Sequence, residues 1–347
     1  MKIAICKTDR GGFTPGWIEY CKNQNIDYKV VDPYASDVVE QVRDCDIVMW
    51  HHAHFDYRDA LLAKSLLASL EMAGKTVFPD HNTGWHFDDK VGEKYMLEAL
   101  GLPLVPSFTF YTKREALDWA AKTDYPKVFK LRGGASSQNV KLARSRKEAN
   151  KLINKAFSGG GYAAFSPWVT LRERWRKFRE GKASALDVCK SIARIFMPGT
   201  NNKMLRNEKG YAYFQEFMPR NEYDMRITVL GGASGNIKAF GFRRMVRKGD
   251  FRASGSGSIV YDGVDPRAVR QAIDAARAMK SQLTAFDFIF DPAGNPLIVE
   301  TSYGFVPSAV DACRGYWDAT LAWHEAPSLN ISAEILNELL AEHQQAN

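Results

Sequence analysis

The sequence predicts a mixed α/β and α+β protein of more than one domain, and three observations carry that prediction. Strand-like and helical runs alternate over the first hundred residues, which implies a small parallel α/β unit. From about residue 107 the texture changes, and strand-like runs follow one another closely. A hairpin signal, "FDFIFDPAGNPLIVETS" (286–302), then closes the strand-rich part. The 347 residues suit two or three domains, and 45% apolar content is enough for a large core.

In chain order, "KIAIC" (2–6), "YKVVD" (28–32) and "DIVMW" (46–50) read as strands. "DALLAKSLLASLEMAG" (59–74) is a helix ending on a Gly cap, and "KTVFP" (75–79) is a fourth strand. "DDKVGEKYMLEALG" (88–101) is a helix that Asp88 or Asp89 caps and Gly101 closes. Two prolines in "LPLVPSFTFY" (102–111) mark a boundary. "SFTFY" and "PKVFKL" are strands around the helix "KREALDWAAKT", and "RGGASSQNVKLA" is a Gly/Ser-rich loop entering another strand. Within 157–212, "LRERWRKFREGK" (171–182) reads as a basic amphipathic helix between mobile loops. "YAYFQEFM", "YDMRITVLGG", "IKAFGFRRMVRKG" and "SGSIVYDG" are strand-like. The helix "PRAVRQAIDAARAMKSQL" precedes the hairpin, and "SAEILNELLAEHQQ" is a terminal amphipathic helix.

Net charge is +7. That suits an anionic ligand such as a nucleotide, though nucleic acid or a membrane surface fits the sign equally. The five cysteines are scattered without a C-x-x-C pair, which argues against disulfides or a zinc site and for a reducing cytosol. The apolar run in "MKIAICKTDRGG" is too short for a signal peptide. No apolar stretch approaches the roughly 20 residues that span a bilayer.

The hairpin poses the chemical question, because it places Asp287 and Glu300 among Phe286, Phe288, Ile289, Leu297, Ile298 and Val299. Two unpaired buried carboxylates repel each other and cost several kcal/mol each. A divalent cation between them removes that cost, and Mg²⁺ takes one or two protein carboxylates plus phosphate oxygens and water. Glu300 and Ser302 share a strand face. An edge hairpin with both acids facing solvent fits the same letters. Lys130 ends an apolar strand, and Gly133, Gly134, Ser136 and Ser137 follow it as a loop able to approach a phosphate, or as an ordinary connection. Neither G-x-x-x-x-G-K-[ST] nor G-x-G-x-x-G is present. Arg226, Arg244 and Arg252 interrupt strand-like runs; arginine forks grip carboxylates and phosphates, and most arginines simply cover solvated faces. His51, His52 and His54 in "WHHAHFDYRD" diverge along an extended segment, so a substrate-facing loop suits them better than a metal site. "RGGFTPGW" (10–17) has the same status, and "SYGFVPSAVDACRGYW" (302–317) fits either an acceptor pocket or core packing.

The order of these pieces resembles the ATP-grasp superfamily, most closely the branch of glutathione synthetase, D-alanine–D-alanine ligase and the ribosomal-protein glutamate ligases. The resemblance spans roughly residues 1–318 and implies an ATP-grasp fold preceded by a parallel α/β domain. It implies that Lys90 and Lys130 hold ATP phosphates and that residues 132–139 close over them. Glu216, Phe217 and Met218 match the linker that pairs with adenine, and Asp224 falls near the acidic position that contacts ribose. Arg226, Arg244 and Arg252 fall where phosphate or substrate carboxylate is gripped. Asp287, Glu300 and Ser302 match the Mg²⁺ ligands, although the family usually has Asn where this chain has Ser302 and Ser254. The implied parts are an N-terminal domain (1–105), a central subdomain (106–212) and a C-terminal subdomain (213–347), with ATP between the latter two. The implied reaction activates a small-molecule carboxylate with MgATP and joins it to an amine. Phosphotransfer that stops at the phosphorylated substrate and silent nucleotide binding are the alternatives. The terminal helix could pair with a second copy, giving a homodimer, or cap its own domain, and nucleic acid is not expected as a partner.

Overall fold

A computed structural model describes residues 1–8, 11–134, 140–163, 167–179, 181, 183–196, 200, 204–246 and 258–346. Ser136, Ser137, Arg252 and Ser254 lie outside the described residues. The chain divides into two compact units, one of Met1–Ala53, Arg58–Val105 and Met218–Asn347, the other of His54–Tyr57 and Pro106–Phe217.

The first unit opens with β1 (Ile3–Cys6), α1 (Thr14–Asn23), β2 (Tyr28–Val31), α2 (Val38–Gln41), β3 (Ile47–Met49), α3 (Tyr57–Met72) and β4 (Thr76–Phe78). The strands form a parallel sheet in the order β2-β1-β3-β4. β1 and β3 are buried at every position, which is why they read as unbroken apolar runs rather than alternating ones. After α4 (His81–Gly84) comes α5 (Lys90–Ala99). Asp89 caps α5 by accepting from the Gly92 N–H at 2.9 Å, and Gly101 follows it at φ 65°, a left-handed position that suits glycine.

The second unit holds β5 (Ser107–Phe110), α6 (Lys113–Ala120), β6 (Lys127–Lys130), β7 (Lys141–Ala143), α7 (Arg146–Ala156), α8 (Pro167–Arg179), α9 (Ala185–Phe196) and β8 (Ala212–Glu216). Its sheet is antiparallel in the order β5-β8-β6-β7. Phe129, Leu131, Ile153 and Phe214 are buried together as its core. Here the structure differs from the expected loops in 157–212. Helix α9 was not foreseen, and Tyr162 and Glu208 exchange backbone hydrogen bonds of 2.8 Å each.

The rest of the first unit is β9 (Tyr223–Leu230), β10 (Lys238–Met245), β11 (Ile259–Val260), α10 (Pro266–Met279), β12 (Leu283–Phe290), β13 (Pro296–Ser302), α11 (Pro307–Asp311), β14 (Gly315–Trp317), β15 (Trp323–Glu325) and α12 (Ile331–Ala346). Among the described residues these strands form one sheet, β13-β12-β9-β10-β14-β15, with β11 on β10. Its two faces follow the period of two. Met225, Ile227, Val229, Phe286 and Phe288 turn toward Ala272, Ile273 and Ala276 of α10. The alternate residues Leu230, Phe240, Phe242, Leu283 and Ala285 join Ile3, Ile5, Met49 and Phe78 in another core. Continuing along that second face, the alternation brings up Asp224, Arg226, Arg244 and Asp287 in place of apolar side chains. The apolar residues fix the strands, so this charged end is held in a defined register.

Candidate active site

β12 and β13 set Asp287 directly opposite Glu300, so both side chains leave the same face. On the other side of β12, Arg226 of β9 is opposite Asp287. One step along, Arg244 of β10 is opposite Asp224. Arg226 donates to Asp287 through Nε (2.7 Å to Oδ1) and Nη2 (2.9 Å to Oδ2). Arg244 forks onto Asp224, Nε to Oδ1 at 2.7 Å and Nη2 to Oδ2 at 2.6 Å, and its Nη2 also reaches Asp287 Oδ2 at 2.6 Å. Two guanidiniums and two carboxylates thus form one ladder.

Asp287 is only 4% exposed, so the solvent-facing alternative fails for this acid. Burial alone would push its carboxyl up, but Arg226 and Arg244 outweigh it and hold the group well below the usual carboxylate range. The cations that make two acids tolerable in an apolar hairpin are therefore, in the chain itself, arginine and lysine. Lys90, at the first turn of α5, places Nζ 3.0 Å from Glu300 Oε1. Burial disfavours its charge; Glu300, Glu93 and Asp88 more than compensate and raise its pKa. Glu93, one turn on, accepts the Thr301 N–H at 3.0 Å and ties α5 to β13.

The donor set suits Mg²⁺. A carboxylate offers about four lone-pair sites, and the three arginine bonds on Asp287 leave one at Oδ1. Glu300 stands opposite on the same face. Among the described residues no group of three or more His, Cys, Asp or Glu gathers to hold a metal, and Mg²⁺ completed by phosphate oxygens and water needs no such group. Ser302 is occupied with its own turn: Oγ donates to the Gly304 carbonyl at 2.9 Å and accepts the Gly304 N–H at 3.2 Å.

In the second unit, Lys130 at the end of β6 donates to Gln215 Oε1 at 2.7 Å. Gln215 Nε2 in turn donates to Ser107 Oγ at 3.1 Å, as does Tyr213 OH at 3.1 Å. Lys127 leaves the opposite face of β6 and meets Glu216 at 2.6 and 2.7 Å and Asp124 at 2.6 Å. The Glu216 carboxylate thus serves Lys127, while its N–H donates to the Pro106 carbonyl at 2.9 Å. β8 ends at Glu216, so Phe217 and Met218 begin the linker, and the Met218 carbonyl accepts from Asn221 Nδ2 at 3.3 Å. Gly133 and Gly134 follow β6; Gly134 has φ 111°, a conformation side chains resist. Arg132 N–H donates to Tyr211 OH at 2.6 Å and anchors the loop's start.

Three segments noted as loops or pocket candidates meet in the first unit. The Phe13 ring stacks on His51 at 4.2 Å and meets Phe305 edge-on at 5.1 Å. Phe13 N–H donates to His51 Nδ1 at 3.0 Å. A Cβ on Gly12 would lie 2.2 Å from His51 Nδ1, so glycine is required for that ring to sit there. Tyr303 is fully buried and donates to the His52 carbonyl at 3.2 Å; it is a core residue. Sequence reasoning missed Gln215 and Glu93. A signal existed for Glu93, one helical turn from Lys90; a glutamine inside a strand gives none.

No protein-family model matches the chain. Among curated proteins, the phosphoribosylamine–glycine ligase of Fusobacterium nucleatum is 24% identical over 157 residues, 45% of this chain. The chain spans about a third of that relative's length, 34%. Among solved structures, a RimK domain ATP-grasp protein from Sphaerobacter thermophilus is similar with a TM-score of 0.52 at 14% identity, covering 87% of this chain and 90% of that one. D-alanine–D-alanine ligase from Bacillus anthracis, in complex with ATP, is similar with a TM-score of 0.54 at 12% identity, covering 100% and 99%.

Proposed function

The chain has the ATP-grasp fold, and from that premise we propose that it is an ATP-dependent, ADP-forming carboxylate–amine ligase. The observation that carries the reading is the ladder Asp224–Arg244–Asp287–Arg226 with Lys90–Glu300 beside it on one face of the large sheet. Such an array suits a site where anionic oxygens gather. Lys90 and Lys130 are assigned to the ATP phosphates, residues 216–218 to the adenine edge, and Gly133 and Gly134 to the loop over the phosphates. Ser136, Ser137 and Arg252 keep the roles the resemblance gives them. Asp287 and Glu300 would hold Mg²⁺, with Ser302 at their side; bound there, the ion supplies charge neutralisation on phosphate oxygens.

A substrate carboxylate oxygen attacks the γ-phosphorus, and the bond to the β,γ-bridging oxygen breaks to release ADP. The amine then attacks the acyl carbon; phosphate leaves and the amine gives up a proton. Arg226 and Arg244 would meet the phosphoryl oxygens, and fixed donors of this kind lose little to reorganisation. The acid is proposed to be an amino acid or sugar acid. We retain the three working parts 1–105, 106–212 and 213–347 and a cytoplasmic setting as elements of the reading, with a homodimer as an option. Light scattering checks the last.

The test measures ADP and phosphate release over a panel of amino acids and uronic acids, each with and without amines. Ligation requires release that depends on both acid and amine. Phosphorylated product without amine would replace the reading by phosphotransfer. ATP bound but unconsumed over the whole panel would replace it by nucleotide binding.

A further inference from the structure

Of the charged groups on the large sheet, Asp224 has a placement at odds with the role its position suggests. It is 7% exposed, and both its oxygens lie in the fork of Arg244, at 2.7 and 2.6 Å. The fork follows from the register, which sets the two residues opposite each other. A ribose hydroxyl would have to share those oxygens in a nearly closed position.

Arg244 shows what the pairing achieves. Three of its five N–H groups are engaged, one on Nε and two on Nη2, by Asp224 and Asp287. Its Nη1 donates to no acceptor among the described residues and is not among the buried polar atoms left without a partner. One edge of the guanidinium is fixed, and the side chain as a whole is 11% exposed. Arg226 is held likewise through Nε and Nη2 on Asp287. Without the Asp224 charge, two guanidiniums would lean on one carboxylate, and Arg244 would lose the fork that sets its plane.

We infer that Asp224 is a positioning residue that orients Arg244 beside Asp287, and that it does not contact the nucleotide's ribose. What Arg244 grips, a phosphoryl oxygen, rests on the ligase reading; the hold of Asp224 on Arg244 does not.

Two measurements on Asp224→Asn separate these points. The first is NMR of the full chain labelled with ¹⁵N-arginine and assigned by Arg244→Lys. A slowly exchanging Arg244 Nε–H resonance is expected in the native chain, lost in Asp224→Asn and kept in Asp224→Glu. The second is calorimetric binding of MgATP and of its 2′- and 3′-deoxy analogues. The affinity ratio between ATP and each analogue is expected to be equal in both proteins. Turnover should fall about 10²-fold, as small misplacements of catalytic groups do, with KM for ATP little changed. Asp224→Asn combined with Arg244→Lys should lose no more than Arg244→Lys alone. A deoxy ratio that collapses in Asp224→Asn while the Arg244 resonance persists overturns the inference and restores a ribose contact. Should the native chain bind no ATP, the ligase reading fails and the resonance alone decides the positioning. Should Asp224→Asn fail to fold, Asp224→Glu decides by the same resonance: retained supports the inference, lost overturns it.

Discussion

The large sheet of the first unit and the end of β6 in the second both hold cations with little exposure, by different means. Arg226 and Arg244 are fixed by carboxylates, Asp287 and Asp224. Lys130 is oriented by the amide of Gln215, which Ser107 holds in turn. A carboxylate fixes a cation strongly and cancels its charge; an amide orients it without cancelling it. Breaking the first kind of contact leaves a largely desolvated charge uncompensated, whereas breaking the second forfeits a hydrogen bond. The two regions should therefore respond to mutation on different scales.

The largest effect is expected at Asp287. Asp287→Ala leaves Arg226 and Arg244 without their shared acceptor and should cost about 3–5 kcal/mol of stability, with turnover lost. Urea unfolding of the purified variant checks this, and an unchanged midpoint would mean that the ladder contributes nothing to the fold. The roughly 10²-fold loss in turnover for Asp224→Asn comes next. Gln215→Leu removes one acceptor of Lys130 and should raise KM for ATP about tenfold, the size of one charged hydrogen bond. A KM equal to that of the native chain would show that Gln215 does not orient Lys130 for the nucleotide.

The smallest effect lies away from the site. Burial, with Glu338 and Asp80 nearby, pushes Glu342 on α12 up to about 7. Burial likewise pushes Asp80 up to about 6. Gln282 Nε2 donates to Glu342 Oε2 at 3.3 Å, while Glu342 Oε1 is buried without a partner among the described residues. An acid whose pKa is raised on folding favours the folded state when protonated. That contribution is complete below the unfolded value near 4 and disappears as pH rises through about 7. Glu342→Gln should therefore raise Tm at pH 8 by about 1–3 °C and leave it nearly unchanged at pH 5. Equal shifts at both pH values would contradict the assignment.

These contrasts also mark how far the sequence could be read. β9, β10 and β12 have eight residues each, long enough for the period of two to show and for Arg226 and Asp287 to stand out in apolar runs. β14 and β15 have three residues each and were not foreseen; β3 and β4 are as short but showed as aliphatic runs, whereas "GYW" and "WHE" offer neither such a run nor a period. The charged residues themselves were legible, but their partners were not. Arg226 and Asp287 lie 61 positions apart and Asp224 and Arg244 lie 20 apart, and the register that joins them is a property of the sheet. For that reason Asp224 read as a separate group, and its fork with Arg244 was not visible. The acids of the hairpin read as calling for a divalent cation; that β9 and β10 bring two guanidiniums to Asp287 could be seen only once the strands were paired.

The central claim is that the acids on this sheet serve a metal–nucleotide complex. It is tested most directly by a crystal structure of the chain with Mg²⁺ and a non-hydrolysable ATP analogue. The account predicts a divalent cation within bonding distance of Asp287 Oδ1 and Glu300, with Arg226 still forked on Asp287. Nucleotide bound elsewhere, with Glu300 still on Lys90 and no cation beside Asp287, would contradict it.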